Sequence, residues 1–316
     1  MSQDSVDKVP KGYDDEIDLR ELFLVLWRGK ISIVVGGLLG AILSVGYALS
    51  LPNIYTAEAV MAPKAEGSGL SGLAGQFGGL AGLAGISLGG GEASKTQIAL
   101  ETLKSRSFFA EYMYEDVLVA LMAAEGWDRE SGELIIDDDI YDPSSQKWIR
   151  DVQAPFKKQP SVQEAYEVFI SDHLVVTEDK KTGFVGLAVK HYSPNLARDW
   201  VLAILRGIET SIREKEVGEA ERSIVFLKAE SAENSLISLN EVFASLIEEQ
   251  TKKIVLANAS EEFVFEVIET PVAAELKSEP KRALICILGT LLFGMLSVLY
   301  VLIKHYAFEN VELVDD

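Results

Sequence analysis

The sequence predicts an α+β protein with two transmembrane helices, one near each end, bracketing an α/β base from which a long helical hairpin protrudes. Three observations carry this. Residues 31–51 and 283–303 are uncharged apolar runs, each long enough for a helix to cross the ~30 Å hydrocarbon layer. The roughly 230 residues between them alternate strand-like and helix-like patterns. Residues 194–258 hold one proline, at their start, and carry an apolar stripe that thins along their length. The chain therefore divides into an N-terminal segment (1–30), a first span (31–51), an outer domain (52–282), a second span (283–303) and a short tail (304–316).

Leu19, Leu22, Phe23 and Leu26 fall at helical spacing behind acidic residues, which predicts an interfacial helix leading into the membrane with Trp27 at headgroup level. Arg20, Arg28 and Lys30 precede the first span, and the next basic residue is Lys64, so the positive-inside bias places the N-terminus in the cytoplasm. Two spans return the C-terminus there. The first run is longer than the apolar core of a signal peptide and is read as an uncleaved anchor. Within it Gly36, Gly40, Ser44 and Ala48 repeat every four residues, a stripe that lets another backbone approach closely. Thr290, Gly294 and Ser297 are small positions of the second span that could serve the same packing.

After the first span, residues 55–62 read as a strand. Residues 67–91 carry no charge, and eleven of these 25 are glycine. Glycine costs a helix about 1 kcal/mol relative to alanine, so the segment reads as an apolar loop with short helical pieces. It would lie near the membrane or against a neighbouring subunit. Residues 94–124 have helical periodicity, read as two helices meeting near 105–107, with Gly126 ending the second. Residues 127–160 read as loop-rich, with the run Asp137, Asp138, Asp139 and Asp142 as a solvated acidic turn. Ser161 and Glu164 form a capping box for a helix over 162–171. Residues 174–177 and 184–192 read as a hairpin around Asp179–Gly183.

Ser193-Pro194 opens the long helix, with serine as cap and proline at its first position. Leu196, Trp200, Val201, Ile204, Leu205, Ile208 and Ile212 form its thick stripe. A thinner one follows through Val217, Ile224, Leu227 and Leu236, so the helix is expected to leave the base. A break near residues 238–240 and a second helix to about 258 would bring the chain back. Residues 263–268 read as a strand rejoining the sheet, and Pro271 and Pro280 as a membrane-proximal turn.

Composition excludes several classes. A net charge of −20 argues against nucleic acid as a partner. The one cysteine, Cys286, lies in the second span, so an internal disulfide is not expected. His173, His191 and His305 lack metal-ligand spacing. No nucleophile elbow or phosphate loop is present, so neither catalysis nor a cofactor is expected.

Taken in order, these segments resemble the Wzz-type chain-length determinants, a branch of the polysaccharide co-polymerases that lacks a kinase domain. The likeness is carried by Asp14-Asp-Glu-Ile-Asp-Leu19, Leu26-Trp-Arg-Gly-Lys30, Tyr55-Thr-Ala-Glu-Ala-Val-Met-Ala-Pro63 and the Leu-Ala-Gly repeats of 72–85. Ile135-Ile-Asp-Asp-Asp-Ile-Tyr-Asp-Pro143, His191-Tyr-Ser-Pro194, Ile247-Glu-Glu-Gln-Thr251 and Pro280-Lys-Arg-Ala-Leu284 continue it. The resemblance implies a periplasmic α/β base with a rising helical hairpin, anchored in a Gram-negative inner membrane and assembled with copies of itself into a ring. It implies a non-enzymatic scaffold that sets the modal length of a lipid-linked, O-antigen-like polysaccharide beside an integral-membrane polymerase. Proline is sparser before the second span than in many relatives, with Pro271 and Pro280 at that turn. The alternative is a membrane subunit of a capsule exporter working with a separate cytoplasmic tyrosine kinase.

Overall fold

The structure is a computed structural model that describes residues 19–64, 95–233 and 237–309. The glycine-rich segment, residues 14–18 and the end of the tail lie outside the described residues. In chain order the elements are α1 (Leu19–Arg28), α2 (Lys30–Ser50), β1 (Tyr55–Pro63), α3 (Lys95–Leu103), α4 (Arg106–Tyr112) and α5 (Tyr114–Met122). Two small strand pairs follow, β2 (Ala124–Trp127) with β3 (Leu134–Ile136) and β4 (Tyr141–Asp142) with β5 (Lys147–Trp148). Then come α6 (Val162–Val168), β6 (Leu174–Glu178), β7 (Val185–His191), α7 (Pro194–Glu233), α8 (Ile237–Ala259), β8 (Phe265–Glu269) and α9 (Arg282–Ile303). The fold is α+β, with a candidate membrane helix near each end and a long helix between.

The chain forms two compact units, residues 1–51 with 280–316, and residues 52–279. In the first, α2 and α9 are long and apolar enough to cross a membrane. Most of their large apolar side chains are exposed, as lipid-facing helices require.

The second unit is built on an antiparallel sheet ordered β6-β7-β1-β8. In strands, alternate residues share a face. Tyr55, Ala57, Ala59 and Met61 of β1 are buried and pair directly with His191, Val189, Leu187 and Val185 of β7. Alanine at the two central β1 positions keeps this face shallow, and α7 packs on β1 and β7. Its buried side includes Ala197, Trp200, Val201, Ile204, Ile208 and Ile212. At Gly207 an added Cβ would lie 3.1 Å from both Phe108 and Tyr112 of α4, so glycine permits that crossing. Phe109 completes the core against Tyr114, Tyr166 and Phe169. Fully burying side chains of this size contributes about 1.5–3 kcal/mol each.

Several boundaries differ from the sequence reading, each for a local reason. Residues 95–122 form three helices, because Met113 takes φ −128° and breaks the second stretch. The helical run ends at Met122, so Gly126 lies within β2. Residues 127–160 contain strands whose turns are tied by aspartates. Asp128 accepts from the Glu130 N–H and the Ser131 hydroxyl, and Asp142 from the Ser144 N–H and the Ser145 hydroxyl. Those bonds hold both carboxyls below the usual aspartate range. Residues 238–240, read as the break in the hairpin, are helical within α8, and residues 234–236, Leu236 among them, lie outside the described residues. Strand β8 begins at Phe265 rather than 263, for a reason given below.

Candidate functional site

In the first unit, α2 and α9 run antiparallel and pack along the small-residue stripe. An added Cβ on Gly36 would collide with Ser297, one on Gly40 with Phe293, and one on Gly289 with Ser44. The contact advances four residues on one helix and retreats four on the other. Gly40, Ser44 and Ala48 are buried. Ser44 donates to the Ala41 carbonyl and Ser297 to the Phe293 carbonyl, so their hydroxyls are satisfied within their own helices. Thr290 likewise donates to the Cys286 carbonyl, whereas an added Cβ on Gly294 would meet open space. Of the three α9 positions, Ser297 is at the close approach, and Gly289 takes the place read for Gly294. The spacing Gly289-Phe293-Ser297, four residues apart, is the signal that could have found it. Arg282 reaches the Leu51 carbonyl past the end of α2 at 3.1 Å. Pro280 sits just ahead of it, its carbonyl accepting from the Arg282 N–H.

In the second unit the residues that set the geometry of the helical hairpin are Glu209 and Arg213, one turn apart on α7. The Glu209 carboxylate accepts from the backbone N–H groups of Phe263, Val264 and Phe265 at 2.7–3.1 Å. Those donors face a side chain instead of a strand, which is why β8 pairing starts late. Arg213 donates to the carbonyls of Ala257, Ser260 and Glu261 at 2.9–3.0 Å; the first is an orphan acceptor in the last turn of α8, and the other two lie just past its end. Its guanidinium lies 3.8 Å from Glu209. The pair clamps the returning chain to the base of α7, while beyond Ile212 only Ala220 of α7 is buried among the described residues. Charge-rich sequence around residue 213 signalled solvent, so neither side chain was read as structural.

Beyond the clamp the hairpin leaves large apolar side chains uncovered, among them Val225 (70% exposed), Phe226 (62%), Val242 (52%) and Leu256 (54%). Pro271 is buried two residues after β8, where the missing N–H ends strand pairing. The return path closes when Ile54 bridges Glu279 and Lys190 pairs with Glu279 at 2.6 Å.

The His191-Tyr-Ser-Pro194 motif has a structural part as well. His191 Nδ1 accepts the Ser193 N–H at 3.0 Å, and its Nε2–H donates to the Ala120 carbonyl at 3.2 Å. The His173 ring lies 5.7 Å from it, and both contact Trp200. Burial pushes the His191 imidazole down to about 4 and also lowers His173. The folded state therefore binds fewer protons than the unfolded chain, whose histidines titrate near 6.5. Stability from His191 is present above pH ~6.5 and is lost as pH falls toward 4, by about 3 kcal/mol. Unfolding followed by tryptophan fluorescence should show this loss, and His191→Gln should flatten the slope between pH 6.5 and 4.

Among the described residues no cluster of three or more His, Cys, Asp or Glu side chains could hold a metal ion.

Comparison with known proteins matches part of this chain by sequence. Residues 15–115 match the family model Wzz, described as chain length determinant protein. The resemblance to Wzz-type determinants read from the motifs is thus shown over α1, α2, β1, α3 and α4. A curated chain length determinant protein from Salmonella typhimurium is 40% identical over 62 residues, a match spanning 19% of this chain and 19% of that protein. Two solved structures are similar at lower identity. One is a full-length bacterial polysaccharide co-polymerase, 14% identical, covering 93% of this chain and 99% of its own, with a TM-score of 0.38. The other is a fragment of WzzB, a polysaccharide co-polymerase from Salmonella typhimurium, 11% identical, covering 72% and 100%, with a TM-score of 0.29.

Proposed function

We propose that the protein is a non-catalytic inner-membrane scaffold that sets the modal chain length of a lipid-linked, O-antigen-like surface polysaccharide. The observation that carries this reading is the match of residues 15–115 to the chain length determinant family. In this reading α2 and α9 are the two spans, both termini are cytoplasmic and residues 52–279 are periplasmic. The basic residues ahead of α2 support that orientation by the positive-inside bias.

The partners are further copies of this chain, the integral-membrane polymerase and the growing polysaccharide. Assembly is supported by the uncovered apolar side chains of α7 and α8, since exposed apolar surface of this kind marks interaction sites. The stripe joining α2 to α9 gives each protomer a paired anchor, which holds both ends of the outer domain at the membrane.

Cross-linking in native membranes should capture a ladder of homo-oligomers. A strictly monomeric protein would contradict the scaffold. Deleting the gene should leave polysaccharide on the cell but broaden or shift its length distribution on a gel, and an unchanged distribution would contradict length control.

A further inference from the structure

The α1–α2 junction and the end of α9 enclose a cavity of about 210 Å3. Gly29 builds it: a Cβ there would collide with Val301, so glycine alone lets the junction lie against α9. That approach gathers Arg28 and Lys304 around the cavity with His305, the Tyr300 ring and Ser32. After Ile303 the α9 backbone widens into a π-turn from Lys304 to Glu309, a distortion that often marks functional positions in helices. Two cations, an imidazole and two hydroxyl-bearing side chains therefore line one cavity at the end of a membrane-helix pair. Basic pockets of this kind between membrane helices bind phosphate head groups. An arginine adds fork geometry suited to phosphate oxygens.

We propose that this cavity is a binding site for the phosphate of an anionic lipid headgroup, held by Arg28 and Lys304 with Tyr300 and Ser32 as neutral hydrogen-bond partners. The proposal rests on the reading of α2 and α9 as membrane spans and assigns the end of that pair a ligand. It separates this site from ordinary attraction of basic residues to a charged surface. Lys30 is the internal control, because its ammonium sits 4.8 Å over the Trp27 ring and does not line the cavity.

The test uses the full chain in nanodiscs of phosphatidylcholine doped with phosphatidylglycerol, followed by native mass spectrometry of retained lipid. A parallel arm uses undoped phosphatidylcholine with inorganic phosphate in solution. The expected result is retained phosphatidylglycerol at one lipid per chain. Arg28→Gln with Lys304→Gln should lower retention roughly tenfold or more, since it removes both cavity-lining cations and with them the charge-assisted hydrogen bonds to phosphate, the stronger kind. Lys30→Gln should leave it unchanged. Tyr300→Phe with Ser32→Ala, which keeps every charge that orients the chain, should lower it severalfold. Equal loss in Lys30→Gln, or equal retention of phosphatidylcholine, would overturn the site, as would occupancy by inorganic phosphate without lipid preference. Extraction of the chain from membranes by alkaline carbonate would overturn the membrane reading along with it, whereas an inserted chain without anionic preference would overturn the site alone.

Discussion

Glu209→Ala is expected to cost the outer domain on the order of 4 kcal/mol and to release the returning chain from the helical hairpin. The carboxylate serves three backbone donors at Phe263, Val264 and Phe265, and alanine would leave all three without it. An orphaned buried donor costs about 1–3 kcal/mol. Partial access of water lowers the sum, since the Glu209 side chain is 16% exposed. Arg213 would keep its carbonyl partners at the end of α8 but lose the anion beside it. Glu209→Gln keeps one oxygen acceptor and turns an NH2 toward the remaining donors, so it should recover only part of the stability. Urea unfolding of the purified chain measures both. Hydrogen exchange should localise the change to residues 257–269, and uniform loss of protection would mean that the clamp is not a local device.

Gly40→Leu is expected to force α2 and α9 apart. The added side chain would run into Phe293, and overpacking of this kind costs about 1–3 kcal/mol. Gly37, three positions earlier in α2, has nothing near an added Cβ. Gly37→Leu therefore adds the same bulk and apolar character without the collision and should leave the pair intact. The two variants should reach the membrane in similar amounts. They should differ in thermal unfolding of the detergent-solubilised chain and in the length distribution of the polysaccharide. Indistinguishable behaviour would mean that the small-residue stripe does not join these helices.

The contrast between these two predictions shows what a linear sequence reveals. The α2 stripe was legible because helix geometry turns a four-residue repeat into one face. Its partner face was only partly legible: Ser297 falls on it, Gly294 does not, and Gly289 does. In an apolar span nearly every position is permissive, so rotation of the helix about its axis is set by the partner. The β1–β7 register was implicit in alternation, with Tyr55, Ala57, Ala59 and Met61 marking the buried face. The clamp of Glu209 and Arg213 was not legible. Both are charged residues on a charge-rich helix, and their partners are backbone groups some 45 to 55 positions away that carry no side-chain signal. The same holds for His191, whose two backbone partners fix its tautomer and make an apparent motif residue a brace beneath α7. Turn aspartates such as Asp142 satisfy nearby donors, so a run of acidic letters becomes a set of tied turns.

The central claim is control of polymer length without catalysis, and its most direct measurement separates length from amount. In cells lacking the gene, the total surface polysaccharide and its length distribution are measured together, with and without the protein supplied in trans. The account predicts near-equal totals in both cases, with a defined modal length appearing only when the protein is present. Disappearance of the polymer in its absence would contradict a non-catalytic role, and the same distribution in both would contradict length control.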